Sequence, residues 1–142
     1  MALIRAGREQ DLPLIAAIQA ASPEASQWQP SDYLDHELLV AEEAGAMAGF
    51  AVFRRIADDE AELLNLAVAP EYRRRGVGRG LLQALLGMFR TSDSLSVFLE
   101  VRQSNSMARE FYKRLGFQEI GVRRNYYNKP AEAAVVMKFH SC

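Results

Sequence analysis

Cysteine and histidine are scarce in this chain. Its one cysteine, Cys142, is the last of 142 residues, and the two histidines, His36 and His140, lie far apart. A lone terminal cysteine cannot close an internal disulfide and is a poor place for a nucleophile. Without a cysteine pair or neighbouring histidines there is no zinc-ligand spacing, so no metal is expected. Long apolar runs are missing too. Hydrophobic residues make up 49% of the chain, yet no run nears the roughly 18 residues of a membrane span. Residues 1–5 lack a basic stretch leading into an apolar one, so no secretory signal is expected. A cytoplasmic protein away from membranes is the expectation. No Gly-x-Ser-x-Gly elbow occurs, and no lysine follows the glycines as a P-loop requires. Asp58, Asp59, Glu60 and Glu62 fall where a hairpin turn belongs and read as a solvated turn rather than a metal site. There are no repeats, linkers or low-complexity segments, and the length suits one domain, residues 1–142, with a real core.

A net charge of −1 hides an uneven distribution. Residues 1–72 carry four basic and thirteen acidic residues; residues 73–142 carry thirteen basic and five acidic. A basic half suits a polyanionic ligand, and an acidic half attracts a cationic acceptor such as a free N-terminus on a basic protein. Nucleic-acid binding is the rival reading of the arginines. It calls for a basic overall balance that this chain does not have, so no nucleic acid is expected.

The strongest signal is Arg73-Arg74-Arg75-Gly76-Val77-Gly78-Arg79-Gly80. The apolar run Leu63-Leu64-Asn65-Leu66-Ala67-Val68 precedes it, and Leu81, Leu82, Leu85, Leu86 and Phe89 follow at helical spacing. A strand therefore feeds a basic, glycine-rich turn that opens a helix. Such a turn aims several N–H groups at one point, and the helix N-terminus adds positive potential. Phosphate oxygens bind well there, so a pyrophosphate-bearing ligand is expected. A dinucleotide fingerprint fits Gly76 and Gly78 but meets Leu81 in place of its third glycine. A solvated turn is the plainer alternative.

A second strand, Leu95 to Val101, carries Glu100 near its carboxyl end. Ser104 or Asn105 can cap the helix that follows. Met107, Ala108, Phe111, Tyr112 and Leu115 form its apolar stripe, and Gly116 ends it. The rest of the chain reads as a short strand at Leu3 and a helix opened by Asp11-Leu12-Pro13. A loop of residues 22–30 follows, then a helix capped by Ser31 running to about Leu38. Next come a hairpin across Gly45, a strand from Glu60 to Val68, helices over 77–90 and 105–115, and last strands near 117–125 and 132–139. This order indicates an α/β architecture with a mixed sheet.

The pattern Arg73-x-x-Gly76-x-Gly78 resembles the coenzyme A pyrophosphate loop of the GNAT acetyltransferases. Leu-Glu-Val-Arg at 99–102, Ser104-Asn105-x-x-Ala-x-x-Phe-Tyr-x-x-Leu-Gly-Phe and Arg123-Arg124-Asn125-Tyr126-Tyr127 resemble the RimI branch of that superfamily. The likeness covers roughly residues 38–138, and more weakly Trp28 to Tyr33. It implies a GNAT fold: a mostly antiparallel sheet of six to seven strands, about four flanking helices, and splayed strands forming a coenzyme A cleft. It implies acetyl-CoA as co-substrate and, as acceptor, the free N-terminal alanine of a protein such as a small-subunit ribosomal protein. One departure is visible: Glu132-Ala133-Ala134 stands where the family usually has Glu-Asp-Ala, which bears on the acceptor.

Acetyl transfer to an amine needs a base, and Glu100 at a strand end is the candidate; its alternative is an exposed acid paired with Arg102. The resemblance places the Tyr112 hydroxyl near the coenzyme sulfur as an acid; its alternative is a core ring. It gives Asn105 to the coenzyme arm, beside its role as a cap. Leu66, Ala67 and Val68 would offer backbone groups to the pantetheine. Arg73, Arg74, Arg75, Gly76, Val77, Gly78, Arg79 and Gly80 would hold the pyrophosphate. Two loops, one with Trp28 and one with Tyr126, Tyr127 and Pro130, form the expected acceptor mouth, with edge packing as the alternative. A monomer or weak dimer is expected. A small amine or lysine side chain as acceptor, or an acyl-CoA-binding module without turnover, remain competing readings.

Overall fold

The computed structural model describes residues 2–22, 25–89, 95–128 and 131–141, without the side chains of residues 125–128, 131 and 141. Cys142, Pro130 and the side chains of Tyr126 and Tyr127 lie outside the described residues. The strands are β1 (Leu3–Ala6), β2 (Glu37–Glu43), β3 (Ala46–Ala57), β4 (Glu60–Val68), β5 (Leu95–Arg102), β6 (Gln118–Asn128) and β7 (Ala131–Ser141). The helices are α1 (Leu12–Ala20), α2 (Val77–Gly87) and α3 (Ser106–Leu115), with 3-10 turns at Glu9–Asp11, Pro30–Asp35 and Pro70–Tyr72. The seven strands make one sheet in the order β1-β2-β3-β4-β5-β7-β6. Every neighbouring pair is antiparallel except β4–β5, which is parallel. This is the mixed, mostly antiparallel α/β fold expected from the sequence.

Local chemistry explains most of the elements. Ala44 (φ 53°) and Gly45 (φ 83°) turn the β2–β3 hairpin through the left-handed region that two-residue hairpin turns demand. Asp58 and Asp59 lie between β3 and β4, as a solvated turn should. Alternation in β5 buries Leu95, Val97, Leu99 and Val101 on one face and leaves Ser96, Phe98, Glu100 and Arg102 on the other. The buried set packs with Leu66, Leu81, Leu85 and Met137 under α2 and α3. A second core, Ile15, Ile18, Tyr33, Phe50 and Val52, sits under α1 on the opposite face. Asp11, ahead of α1, accepts from both terminal guanidinium nitrogens of Arg5 (2.8 and 2.7 Å) and from the Arg8 N–H (2.8 Å). Those bonds, the Arg5 contact first, hold its carboxyl below the usual range.

Three boundaries differ from the expectation. The segment opening at Ser31 is a six-residue 3-10 turn over Pro30–Asp35, with Gln29 rather than Ser31 at its N-cap. Leu38 already pairs with Val52 in the sheet, so pairing with β3 overrides a continuing helix. The helix expected to reach 90 ends at Gly87, where Met88 and Phe89 bond back in tight turns. Glycine is a poor helix residue and lets the last turn tighten. Strands β6 and β7 run longer than expected, because each pairs with the other through Asn128 and Ala131.

Candidate active site

Strands β4 and β5 share only three rungs, Glu60–Ser96, Ala61–Val97 and Glu62–Phe98. Beyond them β4 stays with β3 as far as Val68, and β5 stays with β7 through Arg102. The cause lies in β4. Phe53 pairs with Leu63 and Val52 with Asn65, so Leu64 is an extra residue, a β-bulge. A bulge bends its strand and sharpens the twist. The strands part, and a cleft of about 460 Å³ opens between them. Leu63 and Leu64 line it from β4, Glu100 and Val101 from β5, Asn105 from the head of α3, and residues 25–28 from the loop after α1.

The Trp28 loop is fastened to β4 by a buried polar network. The Asn65 amide donates to the Ser26 carbonyl (2.9 Å) and the Tyr33 hydroxyl (2.8 Å), and its oxygen accepts the Ser26 N–H (3.2 Å). The Tyr33 hydroxyl donates to the Gln19 side-chain oxygen, and the Gln19 amide donates to the Trp28 carbonyl (2.7 Å). Burial pushes the Tyr33 hydroxyl up to about 12. Trp28 packs against Tyr33 and His36, with ring centroids 5.9 and 6.3 Å apart. It therefore fills an edge of the core and lines the cleft at once. Tyr126 and Tyr127 belong to strand β6 rather than to the expected loop, with Tyr127 paired to Glu132.

Glu100 projects into the cleft. Its Oε1 accepts from Arg123 Nη1 at 2.7 Å, while its Oε2 is buried without a hydrogen-bond partner. The pairing with Arg102 does not form. Arg102 reaches Glu132 instead (3.3 Å), whose carboxylate also accepts the Ser104 N–H (2.5 Å). Ser104, by hydroxyl and N–H, and Arg102 hold the Glu132 carboxyl below its usual range. Asn105 is the N-cap of α3, accepting the Ala108 N–H at 3.0 Å. Tyr112 is buried between Phe111 and Phe117, with centroids 5.2 and 5.7 Å away, in the same apolar cluster as Leu66 and Val101. It lines neither the cleft nor the pocket described next.

A pocket of about 580 Å³ sits over the glycine turn. Gly76, at φ 79°, is the N-cap of α2, with no side chain capping the helix. The first helical bond described runs from the Gly80 N–H to the Gly76 carbonyl (2.9 Å). The N–H groups of Val77, Gly78 and Arg79 precede it and are the orphan donors of the first turn. Val68, Arg73, Arg74, Gly76, Val77, Gly78 and Arg79 line the pocket from this side, and Met107, Phe111, Arg114 and Leu115 from α3. A Cβ on Gly78 would meet Phe111, Leu115 and Leu66 at 3.5–3.6 Å, in ordinary contact, so little room is left there for anything larger. Arg73 Nε bonds the Val68 carbonyl (3.2 Å), tying the turn to the end of β4. Arg75 turns away, toward Glu43 (3.7 Å) and the Tyr72 ring. Gly80 lies inside the helix, and Leu66 and Ala67 have fully buried side chains.

Sequence reasoning gave no role to Arg114 or to the Gln19–Tyr33–Asn65 network, and named Arg123 as part of a motif without its partner Glu100. In the network, Asn65 carried a visible signal, an amide inside an otherwise apolar strand. Among the described residues no group of three or more His, Cys, Asp or Glu could hold a metal. Among them, too, no helix is long and apolar enough to cross a membrane.

Comparison with known proteins matches this arrangement. The family model described as the acetyltransferase (GNAT) family matches residues 8–117. The ribosomal protein bS18-alanine N-acetyltransferase of Escherichia coli K12 is 40% identical over 111 residues, covering 77% of this chain and 72% of that protein. The crystal structure of the ribosomal-protein-S18-alanine N-acetyltransferase from Escherichia coli superposes with a TM-score of 0.73 at 32% identity, over 99% of this chain and 94% of that one. Ard1 from Thermoplasma volcanium superposes with a TM-score of 0.81 at 31% identity, over 99% and 98%. The chain belongs to the acetyltransferase (GNAT) family and is an N-acetyltransferase of RimI-like kind.

Proposed function

We propose that this protein transfers the acetyl group of acetyl-CoA to the free N-terminal amine of a protein, with alanine as first residue and a ribosomal protein of the bS18 kind as acceptor. The observation that carries the reading is Glu100, a carboxylate lining the β4–β5 cleft whose Oε2 is buried without a hydrogen-bond partner. It stands in a chain whose relatives are named for acetylating an N-terminal alanine.

The residues present fit the coenzyme. The N–H groups of Val77, Gly78 and Arg79 and the side chains of Arg74, Arg79 and Arg114 suit a pyrophosphate. A Cβ built on Gly76 meets nothing within 4 Å, so the turn is open toward a ligand. The edge of β4 that loses β5 after Glu62 offers backbone groups of Leu66, Ala67 and Val68 to the strand-like pantetheine. Asn105, which lines the cleft with Glu100, is assigned to the thioester arm in this reading.

The chemistry then follows from the chain's own groups. An α-ammonium loses its proton near pH 8, at about its ordinary value, so a carboxylate acting directly or through one water is base enough. Glu100 takes that proton. The amine nitrogen bonds the acetyl carbon as the carbon–sulfur bond breaks, and the leaving thiolate takes a proton from the Tyr112 hydroxyl; the second proton shed by the nitrogen as the amide forms passes through solvent and restores that hydroxyl. Trp28, with Tyr126 and Tyr127, borders the acceptor's first residues. The same reading treats residues 1–142 as one domain, working in the cytoplasm on a protein rather than a nucleic acid.

Glu100→Gln tests the reading. With an alanine-initiated peptide, kcat is expected to fall about 10²-fold or more, within the range of general-base catalysis. A near-normal rate would remove Glu100 as base.

A further inference from the structure

Arg123 and Glu100 stand on strands that are not neighbours, since β7 lies between β5 and β6. Arg123 nevertheless donates to Glu100 Oε1 at 2.7 Å. To do so its side chain crosses the width of β7, about two strand spacings of nearly 5 Å each. The residue beneath the crossing is small. Ala134 of β7 pairs with Arg102 on one side and with Arg123 on the other, and its side chain is fully buried. Glu100, Arg102, Ala134 and Arg123 share a face of the sheet, because directly paired residues point the same way and residues two apart along a strand do too. Arg102 is engaged by Glu132 at 3.3 Å. The two arginines therefore serve different carboxylates, and Glu100 receives the one from the more distant strand.

The geometry points to Arg123 as a positioning residue for the transfer reaction. It holds Oε1 and so fixes the carboxylate plane, with Oε2 left without a hydrogen-bond partner that would compete for the acceptor's proton. A carboxylate without that anchor turns about its last bond and can face its oxygens away from the cleft. In this role the anchor acts through its contact with Glu100. This inference rests on the reading of Glu100 as base.

The test is a double-mutant cycle on the whole chain. Arg123→Met and Arg123→Lys are made in the native protein and in Glu100→Gln, with kcat and both KM values measured using acetyl-CoA and an alanine-initiated peptide. Arg123 is more than half exposed, so Arg123→Met is expected to keep its melting temperature. Its kcat is expected to fall by about tenfold to 10²-fold, the cost of a misplaced catalytic group, while KM for acetyl-CoA stays the same. Arg123→Lys restores part of the loss. In Glu100→Gln, Arg123→Met has no further effect, because the group it positions is gone. Normal turnover by Arg123→Met beside a crippled Glu100→Gln would overturn the role of Arg123 alone. An equal loss in both backgrounds would also overturn it, by showing that Arg123 acts elsewhere. A near-normal Glu100→Gln would take away the base and, with it, this role.

Discussion

Glu62 faces Phe98 in the last rung that joins β4 to β5. Two residues later Leu64 is the bulge that bends β4 away. Leu63 and Leu99, just past the rung, remain buried in one apolar cluster. The strands thus part along their backbones while their inner side chains stay locked in a shared core. A cleft cut between strands exposes backbone groups that a sheet would otherwise pair, and here it does so without loss of the packing beneath. The Glu100 carboxylate and the head of α3 border the opening.

Gly78 is the position where coenzyme binding and packing meet. A valine there would place its Cβ in ordinary contact with Phe111, Leu115 and Leu66 at 3.5–3.6 Å and crowd its methyl groups against side chains of which Phe111 and Leu115 line the pocket. Gly78→Val is expected to abolish coenzyme A binding in calorimetry while the protein stays folded by circular dichroism, at a stability cost of about 1–3 kcal/mol. Tight binding by the variant would mean that the turn does not hold pyrophosphate.

Tyr112 has a packed ring whatever its hydroxyl does. Tyr112→Phe keeps that ring and removes only the proposed acid. Turnover is expected to slow by about 10²-fold, typical of losing a general acid, with coenzyme affinity unchanged. Unchanged turnover would leave Tyr112 as a core residue only.

Tyr33 carries the network that fastens the Trp28 loop. Tyr33→Phe deprives Gln19 of a donor and Asn65 of an acceptor, and is expected to cost about 1–3 kcal/mol in denaturant unfolding. The pH dependence has a definite sign. Burial raises the Tyr33 hydroxyl from 10.0 to about 12 in the folded protein. The folded state therefore holds this proton longer than the unfolded chain does. The corresponding stability is complete below pH 10 and is lost as pH rises toward 12. Unfolding curves at pH 8 and pH 11 should show a steeper loss for the native protein than for Tyr33→Phe; parallel losses would contradict the burial of this hydroxyl.

Much of this site was legible in the sequence because its signals are local. Gly76 and Gly78 between a strand and an amphipathic helix specify the turn, and Asn105 ahead of the Met107–Leu115 stripe specifies the cap. Glu100 at a strand end needed only alternation to be placed. The partners were not legible, because they are set by the sheet order. Arg102 is two residues from Glu100 yet serves Glu132, while Arg123 reaches Glu100 across β7. The helix expected from Ser31 failed for a similar reason: Leu38 has a pairing partner on β3 that a helix would forfeit. Arg114 was read as part of a helix, since only the folded arrangement brings it beside the glycine turn.

The most direct measurement is intact-mass analysis of two peptides after incubation with the protein and acetyl-CoA. One begins with free alanine; the other is an N-blocked copy that carries a lysine. A single acetyl group on the free peptide, and none on the blocked one, is the predicted result. Acetylation of the blocked copy, or transfer to neither, would contradict N-terminal acetylation in the β4–β5 cleft.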